Sequence, residues 1–143
     1  SIPMSFNDDV FRTLSTEQSL AYLEDVQPGR IVMRRKEDIE IFPVNFVVDG
    51  ESIYFRTAEG SKLFTLSLNQ DVLFEADGLK GETAWSVIIK GTAEVLEKPA
   101  DIDHAETLGL KPWAPTLKYN WVRINASDIS GREFEVGEEP ERY

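Results

Sequence analysis

The hydrophobic and polar positions change period along the chain, and each change predicts an element. Residues 15–27 read as a helix: Ser15 is placed to cap it and Gln18 completes a capping box. Leu20, Leu23 and Val26 recur near helical spacing before Gln27-Pro28-Gly29 stops the pattern. From Arg30 the period shortens to that of strands. Ile31-Val32-Met33 leads through a charged turn at 34–38 to a long β-rich run at 39–48. Asp49-Gly50 separates this run from Ser52-Ile53-Tyr54-Phe55-Arg56-Thr57 and predicts a tight type I′ hairpin. A short helix is expected over 61–68, with Leu63 and Leu66 inward. A fourth strand follows at 72–76, a Gly-rich loop at 77–83, and a long fifth strand at 84–96. There Trp85, Val87 and Ile89 share one face and Gly91 marks a bend or bulge. A second helix at 102–108, a loop broken by Pro112 and Pro115, and a sixth strand at 121–126 complete the pattern. The acidic stretch 135–143 reads as frayed.

Strands dominate, are linked mostly by hairpins, and do not alternate regularly with helices. The expected class is therefore mainly β, a small six-stranded antiparallel barrel with short flanking helices. One domain over 1–143 is expected, with flexible ends at 1–11 and 135–143.

Composition narrows the chemistry. The chain carries 15 Lys+Arg against 26 Asp+Glu, a formal charge of −11, which opposes general affinity for nucleic acid or an anionic membrane. Cysteine is absent, so disulfides, thiolate zinc sites, Fe–S clusters and cysteine nucleophiles are excluded. A single histidine, His104, argues against a multi-histidine metal site or a Ser-His-Asp hydrolase within one subunit. It sits in the acidic stretch 101–106 and is expected to be exposed and not catalytic. No apolar run approaches the roughly 20 residues that span a bilayer, and the first nine residues lack a signal-peptide pattern. A cytoplasmic protein without metal is the expectation.

Three constellations could carry chemistry. Arg56-Thr57-Ala58-Glu59-Gly60-Ser61-Lys62 gathers two cations and two hydroxyls between a strand end and a helix start, a junction that suits a phosphate. Equally, Arg56 and Lys62 are read as solvated charges near Glu59, with Ser61 capping its helix. Neither a Walker loop nor a GxGxxG fingerprint is present. Pro43-Val44-Asn45-Phe46 interrupts an apolar strand with a residue that gives up a ladder donor and one that offers an amide. That suits either a plain strand edge or backbone facing a ligand. Trp85-Ser86 pairs an indole with a hydroxyl, as core or as ligand platform, and Trp113 and Trp121 share that ambiguity.

In this order, these pieces resemble the pyridoxamine 5′-phosphate oxidase-like family of FMN-binding split barrels, especially its short bacterial members. The resemblance rests on Ile41-Phe42-Pro43-Val44-Asn45-Phe46-Val47-Val48-Asp49-Gly50, on Ile53-Tyr54-Phe55-Arg56-Thr57-Ala58-Glu59-Gly60-Ser61-Lys62-Leu63, and on Trp85-Ser86-Val87. Gly91-Thr92-Ala93-Glu94-Val95 and Ile129-Ser130-Gly131-Arg132 extend it across residues 12–134. It implies a six-stranded split barrel and a homodimer with two flavin sites at the subunit interface. Arg56, Thr57, Ser61 and Lys62 then match the FMN phosphate stretch, Pro43, Val44, Asn45 and Phe46 the strand along the isoalloxazine ring, and Trp85 and Ser86 a further contact. The tryptophan and arginine arrangement by which true pyridoxamine phosphate oxidases complete their sites is missing near the C-terminus, where Trp121-Val122-Arg123 and Gly131-Arg132 are partial echoes. The expectation is a flavin-dependent oxidoreductase that passes hydride or electrons through FMN to a small organic acceptor or oxygen, with no catalytic base nominated. The alternative is a non-catalytic binder or sensor of flavin, deazaflavin or haem.

Overall fold

The computed structural model describes residues 10–58, 60, 65–66, 69–111 and 120–141. Its strands are β1 (Arg12–Leu14), β2 (Gly29–Arg35), β3 (Asp38–Val44), β4 (Val47–Asp49), β5 (Ser52–Thr57), β6 (Asp71–Lys80), β7 (Thr83–Val95) and β8 (Asn120–Glu135). Helix α1 (Thr16–Leu23) follows β1, and helix α2 (Pro99–Glu106) lies between β7 and β8. The expected capping box is formed: Gln18 N–H donates to Ser15 Oγ at 3.1 Å, and Ser15 N–H to Gln18 Oε1 at 2.9 Å. Of the helix expected at 61–68, only Thr65 and Leu66 are described; both are helical and buried.

All pairings are antiparallel, in the order β3-β2-β6-β7-β8-β5-β4, with β1 added along β8. Among the described residues eight strands replace the expected six. The run at 39–48 breaks at Asn45-Phe46 into β3 and β4, and the N-terminal β1 adds another. The two edges of the sheet are thus three Cα steps apart in the chain, at most roughly 11 Å, so the sheet curls to bring them together. Among the described residues no ladder joins β3 to β4.

Three hairpins share one device, a positive φ at the first of two turn residues: 57° at Lys36, 59° at Gly50 and 63° at Gly81. This corrects the type I′ expectation. Asp49 still pairs with Ser52, the turn residues are Gly50-Glu51, and only the first of them has positive φ, the pattern of a II′ turn. The Gly-rich loop at 77–83 is also corrected. Gly78, Leu79 and Lys80 pair with Trp85, Ala84 and Thr83, extending the β6–β7 hairpin to its Gly81-Glu82 turn. A Cβ on Gly78 would lie 3.3 Å from the Trp85 indole, which covers the missing side chain. The last strand runs well past its expected end at 126, to Glu135.

Gly91 bears out the expected bulge, with the β7–β8 register shifting between Lys90 and Gly91. The interior gathers Leu23, Ile31, Met33, Phe46, Phe55, Phe74, Trp85, Val87, Ile89 and Ile124. A second cluster, Tyr54, Leu96, Ala105 and Trp121, lies on the outer side of β5 and β8 and is covered by α2. On the outer side of β3, β2 and β6, Val32 stands opposite both Ile41 and Leu73. There Ile39, Ile41 and Leu73 are 63%, 62% and 39% exposed, and on the adjoining β7 Ile88 is 42% exposed. Among the described residues no helix is long and apolar enough to cross a membrane.

Candidate functional site

A groove of about 430 Å³ runs between the β3–β4 link and the segment after α2. It is lined by Leu23, Glu24 and Gln27, by residues 45–48 and by residues 109–111. Its first wall is held by three anchors, all on Phe46. The Phe46 ring enters the core edge-on to Phe74, with centroids 4.8 Å apart. The Phe46 backbone is bound on both sides by one amide: its N–H donates to Gln27 Oε1 at 2.9 Å, and Gln27 Nε2 donates to its carbonyl at 2.6 Å. Asn45 is left half-buried against the groove, its side-chain amide without a hydrogen bond among the described residues.

The second wall hangs from α2. Arg56 lies on the outer side of β5 with its guanidinium 5.1 Å from the Trp121 ring centroid, and donates one N–H to the Leu110 carbonyl at 3.2 Å. Trp121 Nε1 donates to Glu106 at 2.9 Å, Arg123 pairs with Glu94 at 2.5 Å and with Asp101 at 3.7 Å, and His104 Nε2 lies 2.7 Å from Asp49 Oδ2. The hydrogen bond from Arg123, helped by Asn125, holds the Glu94 carboxyl below its ordinary range. His104 is half exposed, as the acidic stretch around it predicts.

The structure brings only part of the expected residue set together. Asn45 and Phe46 line the groove and Arg56 grips its far wall. Thr57 is buried, its hydroxyl donating to the Ala58 carbonyl at 3.1 Å. Val44 is a core residue. Trp85 points into the interior and stacks on Tyr22 at 4.9 Å, so of its two readings the core one describes its side chain. Alternation along β7 turns Ser86 outward, opposite Asp77 and Arg132. Pro43 is exposed on edge strand β3, opposite Arg30. Ser61, Lys62 and Trp113 lie outside the described residues.

Four residues of this region escaped the sequence reading: Gln27, Leu110, Lys111 and Asn120. Gln27 reads locally as part of a helix stop, and its bonds to Phe46 span 19 residues. Asn120 pairs in register with Thr57, and its Nδ2 is buried without a partner among the described residues. No local periodicity reports either contact.

The sequence profile of the family described as Pyridoxamine 5′-phosphate oxidase matches residues 15–133. An uncharacterized protein of Mycobacterium tuberculosis is 45% identical over 96 residues, covering 67% of this chain and 87% of its own. Among solved structures, a candidate pyridoxamine 5′-phosphate oxidase from Corynebacterium glutamicum is 50% identical with a TM-score of 0.80, over 90% of this chain and 97% of that one. The FAD binding protein from Mycobacterium smegmatis is 41% identical with a TM-score of 0.76, over 88% of this chain and 100% of that one.

Proposed function

Since the chain belongs to the pyridoxamine 5′-phosphate oxidase-like family of flavin-binding proteins, we propose that it binds a flavin nucleotide beside the β3–β4 link and acts as an oxidoreductase. The observation that carries this reading is the groove itself, walled by the half-buried Asn45 amide, unbonded among the described residues, and by the carbonyl that Arg56 holds. Its volume lies within the range of small-molecule sites. The donor set suits the group: Asn45 offers both donor and acceptors to a ring edge, and Arg56, which gives one N–H to Leu110, has others left for phosphate oxygens. Thr57 belongs with Arg56 at that end, and Ser61 and Lys62 follow them in sequence. The flavin, when bound, supplies the hydride or electron transfer, and the protein orients it, excludes water and sets the hydrogen bonds around the ring. The electron acceptor is a small organic molecule or oxygen.

The site is proposed to be composite, in a homodimer. Pro43 and Ser86 face the outer side of the β3-β2-β6-β7 half of the sheet, where Ile39, Ile41, Leu73 and Ile88 are exposed, while Asn45 and Arg56 flank the groove. One flavin touching both sets would lie between protomers, with the apolar face supplying the contact area. FMN is the minimal ligand. The Mycobacterium smegmatis relative favours FAD as a second reading, since the two share ring and first phosphate.

The purified protein should show flavin absorption, and mass measurement of the cofactor released on denaturation separates FMN, FAD and deazaflavin. Arg56→Ala should weaken FMN by about 1.5–3 kcal/mol while changing riboflavin, which lacks the phosphate, far less. Equal FMN titrations for variant and parent would remove Arg56 from the phosphate end. Bleaching of bound flavin by NADH or NADPH without oxygen supports a reductase. Flavin that neither donor reduces favours the non-catalytic carrier.

A further inference from the structure

Gln27 spends its whole side-chain amide on a single backbone residue. Its Oε1 accepts from Phe46 N–H at 2.9 Å and its Nε2 donates to the Phe46 carbonyl at 2.6 Å, the pair of bonds a neighbouring strand would make. It does so where the sheet has no neighbour to offer, in the two-residue gap between β3 and β4. The adjoining Asn45 has the opposite condition: it lines the groove and is unbonded among the described residues. Buried backbone polar groups are almost always paired. Without Gln27, Phe46 N–H and C=O would therefore turn toward other partners, and the link, including Asn45, would turn with them. The Phe46 ring, edge-on to Phe74, holds the link to the core, and the Gln27 amide holds the backbone polar groups that the ring leaves unpaired.

From this geometry we infer that Gln27 is a positioning residue for the proposed flavin site, acting as a one-residue substitute strand that aims the Asn45 amide at the ring. The inference rests on the flavin reading and deepens it by dividing the site into two ends. Gln27 and Asn45 serve the ring, and Arg56 serves the phosphate. The Gln27 amide binds the Phe46 backbone at both ends, and its effect passes through Phe46 and Asn45.

The test uses riboflavin and FMN as probes on the full chain. Gln27→Leu should weaken both by the same factor, roughly tenfold, as expected for one lost set of oriented hydrogen bonds. The FMN-to-riboflavin affinity ratio should stay at the parent value, whereas Arg56→Ala lowers that ratio. Asn45→Ala added to Gln27→Leu should cost little more than either alone, because both remove the same aimed amide. Should Gln27→Leu fail to fold, Gln27→Glu supplies a sharper readout. As a carboxylate the substituted group accepts from Phe46 N–H but repels the Phe46 carbonyl; once protonated it donates and accepts as the amide does. Riboflavin affinity of this variant should then rise toward the parent value as the pH falls from about 6 to about 3.5, through the ordinary glutamate range, with the parent flat. A parent that binds neither probe overturns the flavin reading and this inference together. A parent that binds while Gln27→Leu binds equally well, or a double variant whose losses add, overturns the inference and leaves the flavin reading standing. A Gln27→Glu profile as flat as the parent's does the same.

Discussion

Along β5 and β8 the outward-facing Tyr54 and Trp121 are each only 3% exposed, because α2 lies over them. Along β3, β2 and β6 the outward-facing Ile41, Val32 and Leu73 form a cross-strand row with no element of the described chain above it. The strands alternate alike in both halves, so pleating alone does not decide which outward residues are shielded. What differs is the connection: the crossing from β7 to β8 carries a helix, whereas β2 passes to β3 through the two residues Lys36 and Glu37. The covered half completes itself. The bare half leaves an apolar patch exposed, and this is the face on which the proposed second protomer would pack.

The comparison can be broken in four places. Trp121→Ala should destabilise the covered half most, by about 3–5 kcal/mol in chemical denaturation, because it empties the cluster under α2 and frees both Glu106 and Arg56. Ile41→Glu, in the bare half, should leave the fold of one protomer within about 0.5 kcal/mol. Sedimentation should instead show self-association weakened at least a hundredfold, about 2.7 kcal/mol; a parent that sediments as a monomer removes the second protomer from the proposed site.

The turns give a smaller and opposite pair. Lys36 holds φ 57° in the β2–β3 turn, a conformation that costs a side chain, so Lys36→Gly should stabilise by about 0.5–1 kcal/mol. Gly50 holds φ 59° in the β4–β5 turn, and Gly50→Ala should lose a similar amount. Thermal midpoints of the two variants should move in opposite directions.

The smallest effect is in acid. In the covered half the Glu94 carboxyl is held below its ordinary value, chiefly by the Arg123 hydrogen bond. Its contribution is present above the unfolded pKa and is lost as pH falls through the folded one. In the bare half, burial first and the neighbouring Asp77 second raise Glu75, against the pull of Arg30. Its charged form costs stability at neutral pH, and that cost is relieved as pH falls. Glu94→Gln should therefore flatten acid sensitivity and Glu75→Gln should stabilise at neutral pH. Solvent screening keeps both within a few tenths of a kcal/mol, measurable as a difference between two denaturation curves.

What could be read from the residues follows the range of the interactions involved. The Ser15 capping box, the bulge at Gly91 and the inward Trp85, Val87 and Ile89 all depend on neighbours a few positions away or across one ladder, and each was legible. The turn at Gly50 was placed but its type was misjudged by one residue, since Asp-Gly and Gly-Glu are equally good turn dipeptides until the register is fixed. Gly78 argued for a loop because a glycine alone has no means of showing that an indole will cover it. Beside the groove, Asn45 and Arg56 were singled out because polar groups stand out in an apolar strand. Gln27 and Leu110 were not, because one is a side chain reaching 19 residues onward and the other contributes a carbonyl, which every residue type possesses.

The short tether between β3 and β4 couples the groove to the whole curled sheet. Spreading the wall at Asn45 would pull on both margins of the β-structure at once and so demand flattening of every strand between them. Accommodation of a bulkier guest should therefore come from the opposite side, where the wall follows α2 and Gly109 holds φ 76°. Differences in ligand preference among relatives would then be written after α2, while the Asn45 side acts as a stiff anvil.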